Sequence, residues 1–304
     1  MKIRTKRYVL MTLDPLHVGT GGYRLGMVDL SIVREPGTNL PKIPGSSLHG
    51  TIRSYAAYLY GKLQCAGPSM SQEEGKNHCG EPQCPICYTF GHMKGASSGS
   101  KGVVNISDAR ILFFPVHSMV GPVWVSTVNI LEECGLHIEG VDTESSWTTM
   151  ETSNKSVNLG WLMVEIKGKA VITFEPDSPE WETIKDRIVV VPETLFSQVV
   201  NSNLEVRTSV SINPETGAAE EGALFTYEAI PRSTFLWVDM VEDDYTDKFP
   251  ETEQAYNTGE PLSMKWSSPL KVVEAGMELA EHLGMGGMGT RGFGRIRTAA
   301  GWEV

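Results

Sequence analysis

The chain has 304 residues, 40% of them hydrophobic, which is enough for one large core or two small ones. No stretch approaches the ~20 consecutive apolar residues of a membrane span, so no membrane partner is expected. A net charge of −11 argues against a protein coated in nucleic acid, yet residues 1–62 hold nine Lys/Arg against three Asp/Glu, so the local field there is positive.

The basic start, Met1 to Arg7, is not followed by a secretory apolar run, because Asp14 and His17 interrupt it. A cytoplasmic location is expected. Five cysteines in that reducing compartment point to a metal site or buried thiols rather than disulfides.

Residues 6–13 read as a first strand. Glycine turns follow at Gly19 and Gly21-Gly22, and residues 26–35 then alternate apolar with polar side chains, as a half-buried strand does. Pro36-Gly37, Pro41 and Pro44 break the chain before a helix that starts at Gly45-Ser46-Ser47, where Ser46 or Ser47 can cap it. Leu48, Ile52, Ala56, Leu59 and Leu63 share one face of that helix; His49 and Arg53 are neighbours on the other. Free N–H groups, two serine hydroxyls and an arginine at a helix start make a seat for a phosphate. The same residues also suit an ordinary capped helix with a solvated arginine.

Residues 64–102 are rich in Gly, Ser, Cys and Pro and read as an insertion folded around something other than an apolar core. Cys79-x4-Cys84-x2-Cys87 brings three thiolates together, with His78 or Cys65 as the fourth ligand of a structural zinc. Cys134 is isolated and reads as buried.

One or two strands are expected over 103–116, a long polar loop over 135–160, short strands over 162–174, and helices near 178–187 and 194–203. Two alternating runs, 206–212 and 223–230, flank the turn Asn213-Pro214-Glu215-Thr216-Gly217 and read as a long hairpin. Another strand spans 233–240 and a helix 269–283. Six glycines within 284–294 argue against a packed element and let backbone N–H groups approach a ligand, with Arg291, Arg295 and Arg297 adding charge.

Together these stretches resemble the RAMP superfamily, specifically the backbone subunit of type III CRISPR effector complexes. The likeness rests on His17-Val18-Gly19-Thr20-Gly21, on Gly-x-Val-Asp ending at Asp29, on Ile-Pro-Gly-Ser-Ser-Leu-x-Gly-x-x-Arg at 43–53, and on Gly-Gly-Met-Gly-Thr-Arg-Gly-Phe-Gly-Arg at 286–295. The resemblance implies an α+β fold, an RRM-like (ferredoxin-like) antiparallel sheet core with helices on one face and large insertions. The chain would be a single domain over 1–304, with a zinc-binding insertion at 64–102 and a protruding thumb β-hairpin at 205–232. Guide CRISPR RNA, target RNA, other effector subunits and adjacent backbone copies are the implied partners.

The resemblance also implies that Asp29 supports cleavage of target RNA with Mg2+ (or Mn2+). Guide contacts are implied at His17, Thr20, Arg34, Ser46, Ser47, His49, Arg53, Gly286, Gly287, Gly289, Thr290 and Arg291. His49 stands where the family usually has lysine. A His-Cys…Cys-x2-Cys pattern before Phe90-Gly91 occurs in some type III relatives and favours His78 over Cys65 as the fourth zinc ligand. Two other functions are compatible with these residues: a guide-RNA scaffold that does not cut, and a stand-alone guide-processing endoribonuclease.

Overall fold

The computed structural model describes residues 3–21, 28–67, 78–94, 98–220 and 224–304. Gly22, Gly26 and Met27, from the expected turn and strand, lie outside them. In chain order the principal elements are β1 (Ile3–Thr12), α1 (Gly45–Tyr60), α2 (Pro85–Phe90), β2 (Ala109–Val116), β3 (Val123–Ser126), α3 (Val128–Cys134), β4 (Ser146–Thr148), β5 (Ser156–Leu159), β6 (Leu162–Lys169), α4 (Pro179–Ile184), β7 (Ile188–Val190), α5 (Glu193–Ser202), β8 (Glu205–Ser209), β9 (Phe225–Ala229), β10 (Phe235–Asp243), α6 (Pro269–Leu283) and β11 (Ile296–Glu303).

The centre of the main sheet runs β2-β10-β1-β11, each strand antiparallel to its neighbour. Between β1 and β2 the chain passes through α1; between β10 and β11 it passes through α6. The two helices pack together so closely that a Cβ on Gly276 would overlap the Ile52 carbonyl. On β1, Tyr8 and Leu10 face these helices while Val9 faces the opposite side; on β10, Leu236, Val238 and Met240 alternate with Phe235 and Trp237 in the same way. Both sets are buried, so the sheet is covered on both faces. The second cover is α3 and α4, with Trp181 of α4 stacked 5.4 Å from Phe235 and edge-on 6.0 Å from Phe113. Helices therefore lie on two faces of the sheet, where one was expected.

Beyond β2 the sheet continues through β3, β7, β4, β6 and β5. The β3·β7 and β4·β6 pairs are parallel, so the complete sheet is mixed rather than antiparallel. The segment 135–160, expected as a loop, contributes Ser146–Thr148 and Ser156–Leu159 to it, while His137–Glu139 pairs with Val171–Thr173 in a separate two-stranded sheet; all are too short to leave a periodic signal. Residues 28–34 form isolated bridges, Gly19 to Ile32, Leu30 to Tyr227 and Arg34 to Pro41, instead of the expected continuous strand. Among the described residues no helix is long and apolar enough to cross a membrane.

Candidate nucleic-acid interface and metal centre

Asp29 is exposed and sits against Thr226 of β9, at the fourth of the five pairs of the β8–β9 hairpin. Its Oδ2 accepts hydrogen bonds from the Thr226 backbone N–H at 2.7 Å and the Thr226 hydroxyl at 3.0 Å. The Thr226 N–H, then its hydroxyl, hold the carboxyl below its ordinary range, so it is ionised at neutral pH. Leu30, next in the chain, packs against the small cluster of Tyr227, Ala229 and Phe293, to which Met288 of the glycine-rich loop also packs. Sequence reasoning missed Thr226, which lies 197 residues from Asp29 and carries no local motif.

The glycine-rich loop is packed where it was expected to be open. Gly286, at φ +79°, would carry a Cβ 2.5 Å from the His17 carbonyl, and the Gly287 N–H donates to that carbonyl at 2.8 Å. These two glycines approach the chain itself. Gly289 has open space around it, and Gly289, Thr290 and Arg291 form a short exposed turn. Arg295 is paired with Asp14 at 2.6 Å and Arg297 with Glu281 at 2.7 Å. Arg291 is the loop arginine without an ion pair among the described residues. A cleft between this loop and α1 is lined by Gly50, Thr51 and Ser54 on one side and Gly286 and Gly289 on the other.

His17 is buried, with Nδ1 2.6 Å from the Glu228 carbonyl. Arg34 pairs with the Glu228 carboxylate at 2.9 Å and donates to Asn201 of α5 at 3.1 Å. Both side chains are spent on anchoring the hairpin base, which departs from their expected role at RNA. Thr20 is half-buried, its N–H donating to the Ser31 carbonyl at 3.2 Å.

The N-cap of α1 is Pro44, and neither serine caps it; the Gly45 N–H donates instead to Asp108 Oδ1 at 2.7 Å. Ser46 is exposed, Ser47 and His49 are half-buried, and His49 meets the edge of Phe90 at 5.2 Å. Burial and the nearby Arg53 charge push the His49 imidazole down, so it is neutral at pH 7. Lys101 and Asn105 share the groove with Ser46 and His49.

Arg53 departs most from expectation. It is buried, with Nε donating to the Cys65 carbonyl at 2.7 Å and one terminal nitrogen to the Phe90 carbonyl at 3.3 Å. It points away from solvent, toward the cysteines, and does not border a groove with Asp29.

The Sγ atoms of Cys65, Cys79, Cys84 and Cys87 all lie within 4.8 Å of one another. Cys79 to Cys87 is 3.7 Å, Cys84 to Cys65 3.9 Å and Cys87 to Cys65 3.6 Å. Four sulfurs bound tetrahedrally about 2.3 Å from zinc stand about 3.8 Å apart, whereas a disulfide needs about 2.05 Å. The donor set therefore fits a four-thiolate metal. His78, the expected fourth ligand, is buried outside this set, its Nδ1 accepting the Met93 N–H at 3.2 Å; Cys65 takes the place.

The profile of the RAMP superfamily matches residues 9–297. The chain is 29% identical over 250 residues to the CRISPR system Cmr endoribonuclease Cmr4 of Pyrococcus furiosus, spanning 75% of this chain and 78% of that protein. It is 36% identical over 87 residues to the CRISPR system Cms endoribonuclease Csm3 of Methanothermobacter thermautotrophicus, 28% of this chain and 31% of that one. Among solved structures, a chain of the type III-B Cmr-beta complex bound to cognate target RNA superposes with a TM-score of 0.62 at 15% identity, covering 97% of this chain and 96% of that one. Oligomeric Cmr4 from Pyrococcus furiosus gives 0.56 at 20% identity over 100% of this chain and 99% of that one. At these identities the structures share the fold.

Proposed function

Because this chain belongs to the RAMP superfamily, we propose that it is a backbone subunit of a type III CRISPR effector, one that holds guide RNA and cuts complementary target RNA. The Cmr4 and Csm3 likenesses support this reading over a stand-alone guide-processing enzyme. The observation that carries cleavage is the exposed, ionised Asp29, pinned by Thr226 against the β8–β9 hairpin.

The β8–β9 hairpin would act as the thumb within 205–232, wedging into the guide–target duplex and displacing a nucleotide near Asp29. Such displacement holds a 2′-hydroxyl in line with its own phosphate, the positioning part of catalysis. Thr226 occupies Asp29 Oδ2, which leaves Oδ1 to take the hydroxyl proton or to hold an ion. Mg2+ needs only one or two protein carboxylates, so one aspartate fits it; when bound it would neutralise charge developing at the phosphate. Gly289, Thr290 and Arg291 at the loop, and Ser46, Ser47 and His49 at the start of α1, would hold guide phosphates.

The β1-α1-β2-β10-α6-β11 unit, with strand order β2-β10-β1-β11, would be an RRM-like core within a single domain. The insertion at 64–102 would hold zinc through Cys65, Cys79, Cys84 and Cys87. Adjacent copies of the chain, other effector subunits and a cytoplasmic setting follow from the same reading.

The test is a reconstituted complex with a matched target RNA. Asp29→Ala should assemble and bind target yet lose cleavage at this subunit's positions, and EDTA should reproduce that loss in the wild type. Cleavage by Asp29→Ala at the wild-type rate and positions would leave the scaffold reading.

A further inference from the structure

Arg53 is 7% exposed, and its second terminal nitrogen is buried without a hydrogen-bond partner among the described residues. A guanidinium keeps its charge at any physiological pH, so a buried one needs a negative partner. Its hydrogen bonds go to two neutral carbonyls, those of Cys65 and Phe90. One belongs to a member of the four-thiol cluster, and the other ends α2, which carries Cys87. Lys62, also buried, already has Glu81 at 2.5 Å and lies 3.9 Å from the Tyr256 ring.

Four thiolates around a divalent ion carry a net charge of about −2. We propose that Arg53 is the counter-charge of this four-cysteine metal centre, coupling metal occupancy to the position of α1. The inference rests on the metal reading given above. It explains a cation that has no carboxylate: metal binding fixes the thiols as thiolates and supplies the missing negative charge. Coupling follows because α1 carries Arg53 on its buried side and Ser46, Gly50, Thr51 and Ser54 on the side that lines the two grooves. Outer-shell partners of metal sites typically change metal affinity 10- to 100-fold when replaced.

The experiment is zinc release from the full chain to a chromophoric chelator, for wild type, Arg53→Lys and Arg53→Gln. Cobalt(II)-loaded samples are read in parallel by their thiolate charge-transfer bands, which report the four sulfurs directly. Gln should lose zinc affinity about 10- to 100-fold and Lys should fall between Gln and wild type. Gln equal to wild type, or Lys falling as far as Gln, overturns the counter-charge. Should Gln not fold, hydrogen exchange on the wild type decides: removing metal should deprotect residues 49–57 of α1 more than α6, and equal protection with and without metal overturns the coupling. A wild type that binds neither zinc nor cobalt defeats the metal reading itself, an outcome distinct from either of these.

Discussion

Thr226 donates twice to one oxygen of Asp29, so the orientation of the other oxygen depends on it. Thr226→Val keeps the backbone donor and removes the hydroxyl; cleavage should fall roughly 10- to 100-fold at unchanged target affinity, with Thr226→Ser restoring most of it. Single-turnover cleavage set against a binding isotherm separates the two effects. Glycines show the limit of reading at this scale. In sequence, Gly286, Gly289 and Gly294 look alike, yet a Cβ on Gly294, at φ +97°, would overlap the Met285 carbonyl, whereas one on Gly289 meets nothing. Gly294→Ala should therefore lower stability by about 2–3 kcal/mol and Gly289→Ala by well under 1 kcal/mol, measured by denaturant unfolding. Gly294 is closed in by Met285 of its own loop and Gly286 by His17 at the other end of the sequence, and no local spacing records either contact.

Helix α1 was legible as an element and misread on one face. Its buried positions include Arg53 and Ala57 beside Leu48, Ile52 and Ala56, a stripe too wide for one covering partner. The second cover is α2 with its cysteines, from an insertion whose sequence has no apolar period to announce that it packs there. The three clustered thiols were legible, while the sequence left the fourth position open between His78 and Cys65 and the family pattern favoured His78. Cys65 sits in a single turn just past α1, remote from the three clustered thiols, and only the fold brings it to them. Purified protein should contain about one zinc per chain. Cys65→Ser should lose it and His78→Ala should keep it, as metal analysis after gel filtration will show; zinc retained in the first and lost in the second would restore the histidine ligand.

At the scale of the molecule, α5 and α6 fall within a residue of their expected places, because their ends carry Pro, Gly or Asn, whereas the hairpin strands, Glu205–Ser209 and Phe225–Ala229, are shorter than the runs 206–212 and 223–230. The mixed extension of the sheet was not legible, since its strands are short and its parallel pairings join segments with no shared pattern. Of the expected arginines, Arg34 is half-buried and paired with Glu228, Arg53 is buried, and Arg291 is exposed. Arg291→Ala should weaken guide binding independently of sequence and lower the salt slope by about one unit; an unchanged slope would remove the glycine-loop turn from the interface. A last consequence concerns synthesis. β1, the earliest strand in the sequence, is an interior strand of the sheet, pairing Ile3 with Asp243 on one edge and Lys6 with Glu303 on the other. It acquires its second neighbour only when residues 296–303 have been translated, so until then a nascent chain carries an apolar strand with an unsatisfied edge. Ribosome-stalled chains ending before residue 296 should accordingly bind holdase chaperones and resist native-like proteolytic trimming, and release of the full chain should end both behaviours together.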